Sequence, residues 1–400
     1  MNDPGSGPRT LSTTLEILDR LIAFDTTSVL TNLPLIDYVR DYLRSHGVDA
    51  HLDRSPEGTK ANLVATIGPH AEGGVMLSGH TDVVPVANQQ WTRNPFQLSR
   101  SGDRLYGRGT ADMKSFIAVA LALVPALKSA QLSAPVHLVL SYDEEIGGFG
   151  AHRLVEYIAR NLPRPALAVV GEPSGMQVAN QHKGNYGFET AVRGREAHSS
   201  RPHLGASAIF GASELIVRLG EIAAEFRQRA PDAAAQEFDP PYSTLNVGQV
   251  NGGTAVNIIA NECRFRWEVR PVPSDDPYQV RKRFDAFAGS EVLARLQATA
   301  PEASIETQPL FVLPALARET RSPVEQIVLR SAGVNRANAV AFASEAGIYQ
   351  RAGIPTVICG PGSIEQAHKP DEFIELAQIS ECLAFMGRLA VSHCLPRRTD

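Results

Sequence analysis

Short apolar runs recur through the first half of the chain, and each ends in glycine, proline or acidic residues. Four of them have the length and composition of buried strands: 62–67, 74–77, 136–140 and 166–170. Apolar residues at helical spacing fill residues 11–47, and residues 114–129 and 148–161 also have the pattern of helices. This alternation predicts an α/β fold in which a mixed sheet carries helices on both faces.

Near residue 182 the pattern changes to the order β-α-β-β-α-β, which is typical of ferredoxin-like domains. The segments in this order are 184–193, 204–229, 243–250, 261–269, 276–298 and 303–311. The segments that follow are a helix at 322–332, a strand at 354–359 and a helix at 376–393. We therefore predict an α/β domain formed by residues 1–181 and 313–400, interrupted by an inserted α+β domain at 182–312.

Charge and composition argue against several classes of protein. The 38 basic and 43 acidic residues give a formal net charge of −5, so the chain has no basic excess for nucleic acid or anionic lipid. The N-terminal segment lacks the apolar core of a signal peptide, and the longest apolar run, 116–127, is too short to span a bilayer. None of the four cysteines stands in a CxxC pair, and scattered thiols suit a reducing compartment. We predict a cytoplasmic protein with neither a membrane nor a nucleic acid as partner.

Histidines and carboxylates follow the predicted strands at the points where these strands end. Ligands of open α/β sheets bind beyond the carboxyl ends of the strands, so we expect these side chains to meet at one edge of the sheet. The residues concerned are His80, Asp82, Asp112, Glu144, Glu145, Glu172 and His368.

Five carboxylates at one edge repel each other, so protons or cations must neutralise them. Carboxylates mixed with imidazoles are the ligands of zinc or cobalt rather than of calcium or magnesium. Three acidic ligands and a hydroxide ion carry about four negative charges, which two divalent cations balance. The sequence therefore predicts a site for two zinc ions, with cobalt or manganese as possible substitutes.

Neighbouring residues of this cluster are expected to divide their roles. Asp82 follows His80 by two residues and is expected to hold the second nitrogen of that imidazole. Glu144 and Glu145 are adjacent, so their side chains diverge. One of them is expected to bind metal, while the other stays free as a general base.

Five sequence blocks carry a resemblance to a known family: GHTDVVP, YGRGTADMK, SYDEEIGG, GEPS and GPGSIEQAHKPDEF. They resemble, in the same order, the signature blocks of the dizinc aminoacylase and carboxypeptidase family. The resemblance implies a zinc-exopeptidase-like fold, with a dimerisation domain inserted where the ferredoxin-like order lies. The closing part of the chain, from SEAGIY to HKPDE, is similar to the branch that converts N-acetylornithine to ornithine and acetate in arginine biosynthesis.

The resemblance also implies a role for each member of the cluster. Asp112 bridges the two zinc ions, and the peptide bond that joins it to Met113 is cis. Glu144 is the general base. The remaining ligands are His80 and Glu172 for the first zinc ion, and Glu145 and His368 for the second.

The resemblance further implies that the inserted domain forms a homodimer. The segment EAHSSRP at 196–202 is similar to the family segment whose histidine reaches across a dimer interface. His198 is therefore expected to stabilise the oxyanion of the tetrahedral intermediate in the site of the partner subunit.

Three further residues are candidates for holding the substrate. Asn257 and Arg270 lie in segments similar to those that hold the substrate carboxylate in the family, although Arg270 could instead form a structural ion pair. Glu345 is a candidate on chemical grounds alone. Its carboxylate could receive the amine of an ornithine-like side chain, and the alternative is a structural role.

Several rival functions stay open on the sequence alone. Within the same chemistry they are a succinyl-diaminopimelate desuccinylase, a general aminoacylase and a dipeptidase. A non-catalytic amino-acid-binding protein is disfavoured, because every expected ligand position and the base position are filled. The chain contains neither HExxH nor GxSxG, and its glycines match no nucleotide-binding loop, which argues against zincin, serine-hydrolase and nucleotide-binding functions.

Overall fold

A computed structural model describes residues 8–319 and 322–395 of the 400-residue chain. These residues form two compact units. The first unit contains the described residues up to Gln181 and most of those after Ala317, and the second contains His182–Ala317 and Val340–Ala343. No helix in the described ranges has both the length and the hydropathy that a membrane span requires.

The helices and strands that precede the second unit are α1 Pro8–Ile22, α2 Leu33–Ser45, β1 Ala50–Arg54, β2 Ala61–Ile67, β3 Val75–His80, β4 Ser99–Ser101, β5 Arg104–Tyr106, α3 Lys114–Ser129, β6 Val136–Ser141, α4 Phe149–Asn161, β7 Leu167–Pro173 and β8 Ala179–His182. Those of the second unit are β9 Asn185–Arg193, α5 Ala208–Gln228, β10 Thr244–Gly252, β11 Glu262–Arg270, α6 Pro277–Phe287, α7 Ala294–Thr299 and β12 Ser304–Leu313. The later ones are α8 Pro323–Ala332, β13 Asn338–Val340, α9 Ala346–Arg351, β14 Thr356–Gly360, β15 Phe373–Glu375 and α10 Leu376–Cys394.

The largest sheet has eight strands in the order β1-β2-β6-β3-β7-β14-β8-β13. Its four central strands, β6, β3, β7 and β14, run parallel to one another. Strand β2 pairs antiparallel with β6 on one side and with β1 on the other. Every residue of β3, β6 and β7 is buried, as expected for parallel strands that are covered on both faces. This buried centre explains why the strands appear in the sequence as continuous apolar runs.

Alternate residues of the central strands face opposite sides of this sheet. Leu138 and Leu140 of β6 belong to the core cluster that also includes residues of α1, α3 and α10, whereas Val139 between them is buried but lies outside that cluster. Helices α4 and α9 pack against each other, α4 against β6 and α9 against β7 and β14. The predicted mixed sheet with helices on both faces is confirmed.

The second unit has a four-stranded antiparallel sheet in the order β10-β11-β9-β12. With its helices it shows the predicted β-α-β-β-α-β order, and it has a hydrophobic core of its own, which includes Phe265 and Phe284. Two features of its helices differ from prediction. Helix α5 begins only at Ala208, because Ser207 caps it by accepting the N–H of Phe210. The helix predicted at 276–298 contains a π-helical turn at 288–293.

Candidate metal centre

The carboxyl ends of neighbouring parallel strands carry most of the predicted ligands. His80 is the last residue of β3, Glu172 lies near the end of β7, and Glu144 and Glu145 follow β6. His368 lies in the loop after β14. Because β6, β3, β7 and β14 are adjacent in the sheet, these side chains reach one edge of the first unit.

The first group of candidate ligands comprises His80, Asp112 and Glu172. Their donor atoms lie within 4.8 Å of one another, and His80 Nε2 is 3.0 Å from Asp112 Oδ1. All three residues are buried, and within the described residues Glu172 Oε1 has no hydrogen-bond partner. A buried carboxylate oxygen without a donor is costly unless a cation binds it, so this arrangement fits a divalent metal ion.

The second group comprises Asp112, Glu145 and His368, whose donor atoms also lie within 4.8 Å of one another. His368 Nε2 is 3.2 Å from Asp112 Oδ2 and 3.1 Å from Glu145 Oε2. Asp112 therefore offers one carboxylate oxygen to each group, as a bridging ligand does. The peptide bond between Asp112 and Met113 is cis, as the family resemblance implied.

Crowding of these buried groups shifts their pKa values. Burial raises the pKa of Glu144, Glu145 and Glu172, and neighbouring carboxylates raise each pKa further. Hydrogen bonds to Asp112 and Glu145 raise the pKa of His368 to about 10. Burial would raise the pKa of Asp112, but hydrogen bonds from two histidines hold it well below its usual value. The cluster thus attracts positive charge, which protons or metal ions can supply.

Glu144 and Glu145 have different surroundings, although they are adjacent in the chain. Glu145 belongs to the second group, whereas Glu144 belongs to neither of the two groups found among the described residues. After burial, the charge of Glu172 contributes most to the raised pKa of Glu144, which indicates that Glu144 lies on the side of the first group. Glu144 is therefore a carboxyl group beside the candidate ligands that remains available for proton transfer.

Asp82 contacts the cluster through different atoms from those predicted. His80 Nδ1 lies 2.9 Å from the backbone oxygen of Asp82, whereas the carboxylate oxygen Oδ1 is 3.7 Å away, beyond hydrogen-bond distance. The Asp82 carboxylate instead accepts the N–H groups of Glu144 at 3.1 Å and Glu145 at 3.3 Å, and the hydroxyl of Ser28 at 2.7 Å. Asp82 therefore orients the loop that presents the two glutamates, while its backbone orients the imidazole.

The predicted residues of the inserted domain lie in the second unit. Two groups of Ser200, the backbone N–H at 3.2 Å and the hydroxyl at 2.8 Å, approach Nδ1 of the exposed His198. Since a backbone N–H can only donate, Nδ1 is an acceptor and the neutral ring carries its proton on Nε2. Arg270 forms the alternative ion pair, with its Nε 2.9 Å from Glu268 Oε1. Asn257 accepts a hydrogen bond at its backbone oxygen from a neighbouring loop.

Glu345 precedes α9 in the first unit and is only 1 % exposed. Tyr349 donates its hydroxyl to Glu345 Oε2 at 3.3 Å, and Ser78 donates to that tyrosine at 2.9 Å. Burial raises the pKa of Glu345 to about 7, and its charge in turn contributes to the raised pKa values of Glu144 and Glu172. The carboxyl group thus lies beside the metal-ligand cluster, in surroundings that favour its protonated form.

Sequence reasoning missed two buried charged residues, Arg108 and Glu372. They form an ion pair of 2.7 Å in which both side chains are almost completely inaccessible. Each belongs to one of the family blocks, YGRGTADMK or GPGSIEQAHKPDEF, and that membership was the available signal. Their local pattern alone does not distinguish them from charges on a solvated surface.

Comparisons with known proteins identify the family of the chain. Residues 76–392 match the family described as Peptidase family M20/M25/M40. A protein named acetylornithine deacetylase from Myxococcus xanthus is 36 % identical over 383 residues, which cover 94 % of this chain and 96 % of the relative. Another of the same name, from Proteus mirabilis, is 34 % identical and covers 97 % of this chain and 98 % of the relative.

Solved structures share the fold. An M20-family metallo-carboxypeptidase from Sulfolobus solfataricus has a TM-score of 0.76 at 19 % identity, covering 94 % of this chain and 98 % of that protein. A dinuclear metal-binding peptidase of the M20 family from Bacillus subtilis has a TM-score of 0.65 at 16 % identity, covering 96 % of this chain and 98 % of that protein. At these identities the likeness supports the architecture rather than a particular substrate.

Proposed function

The chain belongs to peptidase family M20/M25/M40, and we propose that it is a dizinc hydrolase that converts N-acetylornithine to ornithine and acetate, a step of arginine biosynthesis. The observation that carries the hydrolytic chemistry is Asp112, whose two oxygens belong to two separate groups of candidate ligands. The choice of substrate rests on the relatives named acetylornithine deacetylase, which match nearly the whole chain. A cytoplasmic location would suit the four cysteines, because all four are free thiols and a reducing compartment keeps thiols in that state.

The proposed ligands fit zinc because they combine imidazole nitrogens with carboxylate oxygens, and cobalt or manganese could substitute. One ion would be held by His80 and Glu172, and the other by Glu145 and His368. Asp112 would bind both ions. Two bound divalent cations would polarise the amide carbonyl and lower the pKa of a water molecule.

Glu144 is the proposed general base and then general acid. Its carboxylate takes a proton from the attacking water as the new C–O bond forms. The same proton then passes to the amine nitrogen as the C–N bond breaks, which gives acetic acid and a free amine. The acid then gives its remaining proton to the amine, so the products at neutral pH are acetate and an ammonium group. The backbone N–H of Glu144 donates to the Asp82 carboxylate and holds the loop, and burial confines the Glu144 side chain for this transfer.

The second unit is proposed to complete the site and to form a homodimer. The Nε2–H of His198 would donate to the oxyanion in the partner's site. Asn257 and Arg270 would hold the substrate α-carboxylate, for which Arg270 would have to exchange its ion pair with Glu268. Strand β10 lies at one edge of the second unit's sheet, and Phe210 and Val217 of helix α5 expose apolar side chains, at 73 % and 61 %. Exposed edges and apolar residues of this kind suit pairing with a second copy of the chain.

Mixing two inactive variants tests the assignment of His198 and the dimer together. His198→Ala and Glu144→Ala should each be inactive as homodimers, and mixing them under conditions of subunit exchange should restore part of the activity. A mixture that stays inactive after exchange has been verified would show that His198 does not act across an interface.

We also propose that Glu345 receives the side-chain amine of the substrate. This role requires the substrate side chain to reach a carboxyl group that is only 1 % exposed. The test compares N-acetylornithine with N-acetylnorvaline, which lacks only the terminal amine. If Glu345 receives that amine, Glu345→Gln should abolish the preference for N-acetylornithine and leave turnover of N-acetylnorvaline unchanged. An equal loss on both substrates would assign Glu345 to the support of the cluster.

Steady-state hydrolysis of N-acetylornithine, with and without a chelator, tests the proposed activity. Activity should disappear on chelation and return when zinc or cobalt is added. Succinyl-diaminopimelate, N-acetylmethionine and a dipeptide form the comparison panel. Faster turnover of one of these three would reassign the substrate within the same chemistry, and a metal-loaded protein that hydrolyses none of the four would contradict the proposed function.

A further inference from the structure

We propose that Glu372, paired with Arg108, is a positioning residue that aligns two ligands of the second metal ion, Asp112 and His368, through one hydrogen-bond network. The inference rests on the proposed metal centre and does not depend on the substrate. It concerns a residue that contacts the loops behind the ligands and takes no part in the reaction itself.

The Glu372 carboxylate binds the turn that carries Asp112. Its Oε1 accepts the backbone N–H groups of Ala111 at 2.7 Å and of Asp112 and Gly109, both at 3.1 Å. Its Oε2 accepts a hydrogen bond from Arg108 at 2.7 Å. A carboxylate that collects several N–H groups from one turn fixes the conformation of that turn. The backbone of the bridging ligand is thus held directly by Glu372.

The backbone N–H groups of this turn need a hydrogen-bond acceptor from outside the turn. Gly109 has a φ of +88°, and a Cβ atom at this position would come within 2.9 Å of Lys114 Cδ. The turn ends where the buried helix α3 begins, so the N–H groups of the turn cannot form hydrogen bonds with water. Glu372 is the acceptor that satisfies them, because its carboxylate is completely buried against the same turn.

The same network reaches His368 through Gln89. Arg108 Nη2 donates to Gln89 Oε1 at 2.6 Å, and Gln89 Nε2 donates to the backbone oxygen of His368 at 2.8 Å. His368 has a φ of +63°, which is uncommon for a residue other than glycine. A backbone in this region depends on its surroundings to keep it there. The hydrogen bond from Gln89 supplies such a constraint.

The two proposed ions depend on this network to different degrees. The ion of the second group has three candidate ligands, and two of them, Asp112 and His368, belong to segments that the network holds. The ion of the first group shares only Asp112 with the network, because His80 and Glu172 belong to strands of the sheet. Disturbing Glu372 should therefore weaken the second ion more than the first, whereas a general loss of stability would weaken both alike.

Zinc titration of the metal-free full-length chain, in competition with a chromophoric chelator, tests this difference. In Glu372→Gln one of the two dissociation constants should rise tenfold or more, the range typical for partners of metal ligands, while the other changes less. Circular dichroism and melting of the metal-free protein report whether the variant is folded. The matched control is Glu375→Gln, in the same segment, where an exposed glutamate pairs with Arg104.

A second variant covers the case in which Glu372→Gln does not fold. Gln89→Met removes the link to His368 without leaving a buried charge unpaired, and it should weaken the second ion alone. The absorption spectrum of the cobalt-loaded protein should change with it, since the geometry of one ion changes. Unchanged affinities in both folded variants, or an equal weakening of both ions, would overturn the proposal.

The outcome for the wild-type protein separates the two proposals. A wild-type chain that binds no zinc would refute the metal centre and the positioning role together. A wild-type chain that binds two zinc ions but does not hydrolyse N-acetylornithine would count against the proposed substrate alone, and the variants would still decide the role of Glu372.

Discussion

Charged side chains are buried at the strand ends of the first unit, whereas most of those in the second unit form exposed ion pairs. Arg108 and Glu372 illustrate the first case, with side chains that are 1 % and 0 % exposed. Arg295 and Glu214 illustrate the second, at 53 % and 41 %. Desolvating a charge costs several kcal/mol, which is comparable to the whole free energy of unfolding of a domain. An exposed ion pair, in contrast, contributes roughly 0–1 kcal/mol. The buried charges therefore mark the place where the fold gives up stability for a binding site.

Hydrophobic packing does not account for this difference, since each unit has its own apolar core. In the second unit, Trp267 stacks on Phe188 with ring centroids 4.4 Å apart and also contacts Phe284. The buried residues of the second unit that have basic side chains are His182 and Lys183, at its very beginning. The two units thus differ in where they place polar groups, and four experiments test this difference.

The largest effect is expected for Glu144→Gln in the first unit. Removing a general base should lower the catalytic rate by about a hundred- to ten-thousand-fold, while zinc content stays at the wild-type level. The control is Glu306→Gln in the second unit, which removes an exposed glutamate paired with Arg193 and should leave the rate unchanged. Near-native turnover of Glu144→Gln, or loss of its zinc, would remove Glu144 from the role of base.

Zinc should stabilise the first unit specifically. At a free concentration of about 1,000 times Kd, one bound ion adds roughly 4 kcal/mol to the free energy of unfolding. The two tryptophans report separately, because Trp91 lies in the first unit and Trp267 in the second. In single-tryptophan variants, zinc should raise the denaturation midpoint seen by Trp91 and leave that seen by Trp267 in place. A common shift of both midpoints would mean that the two units unfold together, and it would contradict a stabilisation of the first unit alone.

His137, buried in strand β6, should make the first unit sensitive to acid. Burial, and to a smaller extent His70, lowers the pKa of His137 to about 4 from an ordinary value of 6.5. Between these two values the unfolded chain binds a proton that the folded chain does not. The contribution of His137 to stability is therefore complete above pH 6.5 and is lost as the pH falls to 4, by up to about 3 kcal/mol.

His137→Phe should flatten the dependence of unfolding free energy on pH between 4 and 6.5 in the metal-free protein. The exposed His203 of the second unit provides the control, because His203→Gln should leave the slope unchanged. An unchanged slope in His137→Phe would show that other groups account for the acid sensitivity of the first unit.

The smallest effect is expected for an ion pair on the surface of the second unit. Arg283 and Glu225 approach to 2.6 Å, with side chains that are 38 % and 53 % exposed. A double-mutant cycle with alanine at both positions should give a coupling energy of about 1 kcal/mol or less, which salt reduces further. A coupling of several kcal/mol would show that exposed charges also matter to this fold.

Much of the fold could be predicted because its signal is local. The apolar runs at 136–140 and 166–170 correspond to β6 and β7, since strands buried on both faces admit little else. The π-helical turn at 288–293 could not be read in the same way, because its residues have ordinary helical composition. Periodicity reports which face of an element is buried and says little about how a helix is wound locally.

The candidate ligands could be predicted because their residue types at strand ends carry the chemistry. The partners of those ligands could not, because a hydrogen bond depends on loop conformation and side-chain rotamer. Asp82 shows this, since its carboxylate accepts N–H groups from the loop of Glu144 rather than contacting His80. Glu372 shows it too, because nothing in the letters KPDEF reveals which backbone groups its carboxylate accepts.

The strand order of the large sheet has a consequence for how the protein is made. Strands β7 and β8 are consecutive in the chain, yet β14 lies between them, and the whole second unit is synthesised before β14 exists. During that interval β7 lacks one neighbour and presents an open edge to other chains. The ribosome releases the last ligand, His368, only after this gap can close. Because His368 follows β14 in the chain, metal capture at the second group would therefore report that this gap has closed.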